Sequence, residues 1–126
     1  MKWILLLSFC VVSMFARITH VEATPSNIAN VKQLVDIRTE FEIQETGLIE
    51  GAVNVVFTKE QDKFYKDKFI DELKQHIDIT KPFALICRTG RRSGKVAEWI
   101  DSDQFDITHF SGGINELIKN GYKITQ

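Results

Sequence analysis

Cysteine is nearly absent from this chain, which has only Cys10 and Cys87 among its 126 residues. The three histidines do not join them in a spacing typical of metal ligands, so no metal site is expected. The net charge of −1 lacks the basic excess of a nucleic-acid-binding surface. No internal repeat or low-complexity tract is visible. The length therefore predicts one small domain.

Apolar residues are concentrated at the start of the chain. Lys2 precedes an apolar stretch, Trp3–Ala16, that is too short to span a bilayer comfortably. Val21-Glu22-Ala23 then offers residues compatible with a cleavage site. This pattern predicts a signal peptide over residues 1–23 and a domain over residues 24–126, with an uncleaved amino-terminal anchor as the alternative. We therefore expect an exported protein, with the bacterial periplasm as the favoured compartment and a secretory pathway elsewhere left open.

Cleavage of this leader would leave Cys87 as the single cysteine of the domain. Exported domains usually pair their cysteines in disulfides. A single cysteine cannot form an internal disulfide, so it is either a reactive thiol or an intermolecular bridge.

The surroundings of Cys87 favour a reactive thiolate. The cysteine follows a short apolar run, Phe83–Ile86, that is typical of a buried strand. The basic loop after it leads into a segment with helical apolar spacing at Val96, Ala97, Trp99 and Ile100. Guanidinium groups and the positive end of a helix stabilise a thiolate, and Gly90 lets several backbone N–H groups point at one centre. The alternative is a buried, inert cysteine beside a solvated run of charge.

The remaining pattern alternates strands with helical segments, which indicates an α/β domain with a mainly parallel sheet. Residues Thr24–Asn30 are expected to form a loose segment. The last predicted strand alternates apolar and polar residues as a half-exposed strand does, and we interpret His109 as one of its polar positions. We therefore expect His109 to be structural or on the surface rather than a catalytic base. The predicted strands are Leu34–Ile37, Val53–Phe57, Phe83–Ile86 and Phe105–Phe110, and the predicted helical segments are Glu40–Glu45, Lys59–His76, the segment after the Cys87 loop, and Asn115–Asn120.

Three motifs in order resemble those of the rhodanese family of sulfurtransferases. The loop C-R-T-G-R-R-S from Cys87 matches the family pattern Cys-x-x-x-x-Arg-Ser/Thr. Asp36-Ile37-Arg38 and the glycine pair Gly112-Gly113 resemble the family's first and last motifs. In the segment between, Leu48 stands where the family has a histidine, which affects local loop geometry more than activity. The resemblance implies a rhodanese-like fold, with a mainly parallel central sheet flanked by helices on both faces.

The resemblance also implies a function. A sulfurtransferase of this family moves a sulfane sulfur from thiosulfate or a similar donor to cyanide or a thiol acceptor, through a persulfide on Cys87. It needs no cofactor, and a membrane is a partner only if the amino-terminal segment stays uncleaved. Asp36 and Arg38 would support the site as scaffold. The residues implied in substrate binding are Arg88, Thr89, Gly90, Arg91, Arg92 and Ser93, with Arg92 acting on the persulfide through its field and Arg88 and Arg91 recognising the dianionic donor at the loop rim.

Two other functions stay open. Cysteine-dependent phosphatases and arsenate reductases use Cys-x5-Arg, whereas the sixth residue after Cys87 is Ser93. A persulfide carrier or redox-binding module, with incidental turnover of small donors, would keep the same loop. Ser93 itself could hydrogen-bond the sulfur or cap the helix that follows.

Overall fold

The computed structural model describes residues 18–57, 59–60, 63–101 and 105–124. The first seventeen residues of the predicted leader lie outside this description. The elements in chain order are β1 (Ile18–Glu22), α1 (Pro25–Ala29), β2 (Leu34–Asp36), α2 (Glu40–Thr46), β3 (Val53–Asn54), β4 (Lys59–Glu60), β5 (Lys63–Phe64), α3 (Lys66–His76), β6 (Phe83–Ile86), α4 (Arg91–Ile100), β7 (Ile107–Ser111) and α5 (Gly113–Lys119).

The main sheet has five strands in the order β1-β7-β6-β2-β3, and every pair in it is parallel. One core cluster joins one face of the sheet to α3 and α4, and a second cluster joins the other face to α1 and α5. The predicted α/β fold, with helices on both faces of a parallel sheet, is confirmed. Because consecutive parallel strands need crossover connections, the helices cover both faces and the strands are apolar on both sides.

The amino-terminal part of the domain differs from the sequence prediction. Ile18–Glu22, which the sequence assigned to the leader, pairs with β7 over five residues. Ala23 is fully buried, and its carbonyl accepts a hydrogen bond from Asn120 Nδ2 at 2.9 Å. The segment expected to be loose forms α1, because the Thr24 side chain accepts from the N–H of Asn27 and proline occupies the first turn. The described part of the domain thus includes Ile18–Glu22 as an edge strand, which cleavage after Ala23 would remove.

Two other elements are shorter than predicted. The helix expected from Lys59 begins at Lys66, because Lys59–Glu60 and Lys63–Phe64 form an antiparallel strand pair before it. The strand expected over Val53–Phe57 retains ladder pairing only at Val53 and Asn54. Among the described ranges, no helix has the length and apolar content needed to cross a membrane. The shortened strand and the shortened helix both lie outside the Cys87 loop.

Side-chain alternation along β6 decides which way Cys87 faces. Phe83 and Leu85 belong to the core cluster on the α3 and α4 side, and Cys87 belongs to the same cluster. Ala84 and Ile86 point to the opposite face. Successive strand residues alternate between faces, so Cys87 leaves the carboxyl edge of the sheet directed at the start of α4.

Candidate active site

The loop after β6 is shaped by Gly90, which begins α4 as its N-cap residue. Its φ of +89° lies in the left-handed region, where a side chain is strained. A Cβ at this position would also lie 2.8 Å from the backbone nitrogen of Gly112. Glycine is therefore required both for the turn and for the close approach of the turn between β7 and α5.

Three hydrogen-bond donors converge on the Cys87 sulfur. The N–H of Gly90 lies 3.1 Å from Sγ, the N–H of Ser93 lies 3.4 Å away, and the Ser93 hydroxyl lies 3.3 Å away. Cys87 and Ser93 expose no surface. Donors fixed around a buried sulfur stabilise its anionic form, as in an anion-binding nest. Ser93 contacts the sulfur from the third position of α4, and the N-cap position belongs to Gly90.

Arg92 is held by a carboxylate rather than directed freely at the sulfur. Its two terminal nitrogens donate to the two oxygens of Glu42, each at 2.7 Å. This bidentate pair lowers the pKa of Glu42 to about 2, despite the opposing effect of burial. It also raises the pKa of Arg92, to which the nearby Cys87 adds a smaller contribution. The positive charge predicted near the sulfur is thus largely compensated, and the pair ties the loop to α2.

Replacing Glu42 by glutamine is expected to lower the free energy of unfolding by about 1 kcal/mol at pH 7. The loss is modest because the ion pair is partly exposed and solvent screens it. The pKa of Glu42 is lowered on folding, so its contribution is fully present above its ordinary value of 4.5 and is lost as pH falls through about 2. Urea unfolding between pH 7 and pH 3 measures the difference between variant and parent, which should shrink with acidity.

Glu40→Gln is the matched control, since Glu40 is exposed and lies in the same first turn of α2. We expect it to change stability by less than about 0.5 kcal/mol. A Glu42→Gln loss that stayed constant down to pH 3 would contradict an electrostatic origin.

Asp36 and Arg38, which are predicted to support the site, form a buried ion pair at the end of β2. Both are buried, and Arg38 donates to both Asp36 carboxylate oxygens at 2.8 to 3.1 Å. The same guanidinium reaches Thr46 Oγ1 at 2.6 Å and the Gly47 carbonyl at 2.9 Å. The pair therefore joins the end of β2 to the end of α2, the helix that carries Glu42.

The glycine pair at the start of α5, Gly112-Gly113, holds the Cys87 loop from its other side. The N–H of Ile114 donates to the Cys87 carbonyl at 2.9 Å, and the N–H of Asn115 donates to the Arg88 carbonyl at 3.0 Å. Gly113 allows this contact, because a Cβ there would lie 2.4 Å from the Cys87 carbonyl oxygen. The first N–H groups of α5 thus hold the backbone of the reactive loop.

The exposed part of the loop consists of Arg88, Thr89 and Arg91. Within the described residues, none of these three side chains hydrogen-bonds the sulfur, so they form the rim and not the floor of the site. A cleft of about 50 Å³ opens beside the rim and is lined by basic and acidic side chains that include Arg88 and Glu42. A second cavity, of about 400 Å³, lies at the opposite edge of the sheet around Pro82 and Lys32. Among the described residues, the Cys87 loop and the smaller cleft thus lie at the carboxyl edge of the sheet, the edge at which parallel α/β sheets bind ligands.

His109 lies behind the loop as a buried residue, which matches the structural one of the two positions expected for it. It is 7% exposed, and its Nε2 lies 2.8 Å from the Gly90 carbonyl oxygen. The prediction that His109 lies on the polar phase was wrong, because His109 shares the face of Phe105 and Ile107, which belong to the core cluster on the α4 side. On that face its ring packs against Gly94 of α4, and His20 of β1 covers it from the outer side.

Comparison with known proteins gives a consistent result. The sequence model of the rhodanese-like domain family matches residues 22–120 of this chain. "Putative sulfurtransferase YtwF" of Bacillus subtilis (strain 168) is 30% identical over 81 residues, which cover 64% of this chain and 68% of that protein. A rhodanese-like domain protein of Staphylococcus aureus superposes with a TM-score of 0.61 at 22% identity, over 86% of this chain and 100% of the other. A rhodanese-related protein of Thermoplasma volcanium gives a TM-score of 0.57 at 24% identity, over 77% and 85%.

Proposed function

Because the chain belongs to the rhodanese-like domain family, we propose that it transfers a sulfane sulfur through a persulfide on Cys87. The observation that carries the proposal is the convergence of the Gly90 N–H, the Ser93 N–H and the Ser93 hydroxyl on one buried sulfur. The same donors that stabilise a thiolate would stabilise the terminal sulfur of a persulfide, which is also anionic.

The proposed reaction is a double displacement. The Cys87 thiolate attacks the outer sulfur of thiosulfate, a new S–S bond forms, and the S–S bond of the donor breaks as sulfite leaves with the electron pair. Cyanide or a thiolate then attacks the outer sulfur of the persulfide. The second S–S bond breaks, the acceptor leaves as thiocyanate or as a persulfide of its own, and the Cys87 thiolate is regenerated.

The arginines divide their roles in this proposal. Arg88 and Arg91 are exposed at the rim and attract an anionic donor. Arg92 is bound to Glu42, so its contribution is to fix α4 against α2 more than to supply free charge. Since Cys87 exposes no surface, the donor reaches the sulfur only after rim side chains move aside.

The test is thiosulfate:cyanide sulfurtransferase activity of the complete chain, with intact mass after thiosulfate treatment. We expect turnover and a mass gain of about 32 Da, one sulfur atom, and we expect both to be lost in Cys87→Ser. Cys10→Ser is the matched control, because it removes the other cysteine and should leave both results unchanged. Absence of any mass gain in the parent chain would reject the persulfide, and phosphate esters and arsenate would be tried next.

A persulfide carrier is the second candidate, and the full burial of Cys87 favours it. Once loaded, a sulfur without exposed surface is shielded from a small acceptor such as cyanide until a protein partner opens the rim. A mass gain without turnover of cyanide, together with transfer to a protein thiol, would support the carrier over the enzyme.

We also propose that the protein is exported, to a compartment such as the bacterial periplasm. The support for this proposal is the apolar stretch Trp3–Ala16. Because β1 is a strand of the domain, we propose that any processing of the chain occurs before Ile18. The amino-terminal mass of the exported chain tests this proposal, and a chain beginning at Thr24 would contradict it.

A further inference from the structure

The carbonyl oxygen of Gly90 lies at the centre of a small hydrogen-bond network. It accepts the N–H of Gly94 at 3.1 Å, as the first hydrogen bond of α4, and it lies 2.8 Å from His109 Nε2. The Ser93 hydroxyl lies 3.4 Å from the same oxygen and 3.3 Å from Cys87 Sγ. That hydroxyl has one proton, which it gives either to the carbonyl or to the sulfur.

The chemistry of the carbonyl fixes the protonation of His109. A carbonyl oxygen only accepts, so His109 Nε2 must carry the hydrogen. His109 Nδ1 lies 2.9 Å from His20 Nδ1. In the neutral ring this nitrogen is an acceptor, so His20 Nδ1 donates to it. The two histidines are register partners on the parallel strands β1 and β7, which places their side chains on the same face of the sheet.

We propose that His109 is a positioning residue for Cys87. By donating to the Gly90 carbonyl, it directs the Ser93 hydroxyl proton to the sulfur, and His20 fixes the tautomer that can do this. A carbonyl has two lone pairs, and Gly94 N–H and His109 Nε2–H occupy both. Removal of His109 would leave a buried acceptor site open, and the hydroxyl of Ser93 would turn to fill it. This inference rests on the proposed function, in which Cys87 is the reacting group.

The packing around His109 supports this role. A Cβ at Gly94 would lie 3.3 Å from the imidazole carbon Cε1, so the glycine lets the ring lie against the first turn of α4. Burial lowers the pKa of His109 below 6.5, and nearby His20 lowers it further, against the opposing Gly90 hydrogen bond and the charge of Glu98. The ring is therefore neutral at pH 7, which is the form that can accept from His20.

The experiment follows thiolate formation directly. The ultraviolet absorbance of the thiolate is recorded against pH for the complete chain, with Cys87→Ser as the reference that subtracts Cys10 and the tyrosines. His109→Phe keeps a ring against Gly94 and removes the donor. We expect the pH at which half of Cys87 has ionised to rise by about 0.5 to 1 pH unit, the effect of one hydrogen bond.

Two further variants separate positioning from general damage. His109→Gln keeps an N–H donor of similar reach, and we expect it to restore part of the shift. Ser93→Ala should raise the half-ionisation pH by a similar amount, and adding it to His109→Phe should cause no further rise, since both changes remove the same proton from the sulfur. Fully additive shifts, or an unchanged value in folded His109→Phe, would overturn the proposal.

The tautomer can also be read in the unaltered protein, which covers the case in which His109→Phe fails to fold. Two-bond nitrogen–proton NMR correlations of the His109 ring should show hydrogen on Nε2 and none on Nδ1 at pH 7. His20→Ala should introduce the Nδ1–H form. An Nδ1–H ring in the parent chain would overturn the proposal. Neither readout needs a sulfur donor or acceptor, so each can succeed or fail independently of the sulfurtransferase assay.

Discussion

Replacement of Arg38 by methionine is expected to lower the free energy of unfolding by about 3 to 5 kcal/mol, because it leaves the carboxylate of Asp36 buried without its counter-charge. Both residues are at most 1% exposed. The variant also loses the bonds to Thr46 and Gly47, so the carboxyl end of α2 is released. A small domain is stable by about 5 to 15 kcal/mol, so a large part of the population would unfold at elevated temperature.

Urea unfolding at pH 7 measures this loss, and the double variant Asp36→Leu with Arg38→Met tests its origin. If the loss comes from an uncompensated buried charge, the double variant should be more stable than Arg38→Met alone, even though it carries one more substitution. Arg38→Lys keeps the charge and loses the planar fork, so we expect an intermediate loss. A loss below about 1 kcal/mol in Arg38→Met would contradict the scaffold role of the pair.

Replacement of Gly113 by alanine is expected to have a comparably large effect, and it acts directly on the reactive loop. The added Cβ would lie 2.4 Å from the Cys87 carbonyl oxygen and 2.7 Å from the Arg88 carbonyl carbon and oxygen. These are backbone atoms, which cannot rotate away as a side chain would. The start of α5 must therefore move, and the two hydrogen bonds that it donates to the loop are broken. We expect a loss of about 3 kcal/mol or more, together with loss of sulfur transfer.

Gly51→Ala is the matched control for this prediction. Gly51 has φ of +82°, compared with +60° at Gly113, but a Cβ at Gly51 would meet nothing within 4 Å. Its replacement therefore measures the conformational cost of a positive φ alone, about 1 kcal/mol. Both variants are compared by urea unfolding and by persulfide formation. Equal losses in the two variants would mean that the contact between α5 and the loop contributes little.

The parts of this structure that the sequence predicted are local along the chain. The strand Phe83–Ile86, the cysteine after it and the helix after the loop lie within about twenty residues, and strand and helix periods suffice to identify them. Asp36 and Arg38 are two residues apart, and their support of the site was implied by the resemblance to the rhodanese family. The order of these elements was enough to predict the parallel sheet.

The parts that the sequence did not predict depend on partners far away in the chain. Glu42 and Arg92 are fifty residues apart, and their pairing is decided only when α2 and α4 meet at the edge of the sheet. His20 and His109 are separated by 89 residues. Ile18–Glu22 has little apolar character of its own and follows a long apolar stretch, so its local pattern resembles the end of a leader. Its strand structure comes from pairing with β7, and that register brings His20 beside His109.

The uniform direction of the five strands also sets where the amino-terminal segment leaves the domain. Ile18 is the register partner of Ile107, which in turn pairs with Phe83, the first residue of β6. Residues 1–17 therefore join the domain at the amino edge of the sheet, whereas Cys87 lies at the carboxyl edge, a strand length of about 13 Å away. Any attachment made through the chain before Ile18 therefore starts at the edge of the sheet opposite the Cys87 loop. A sulfur acceptor that approaches Cys87 would then meet a different edge of the domain from such an attachment.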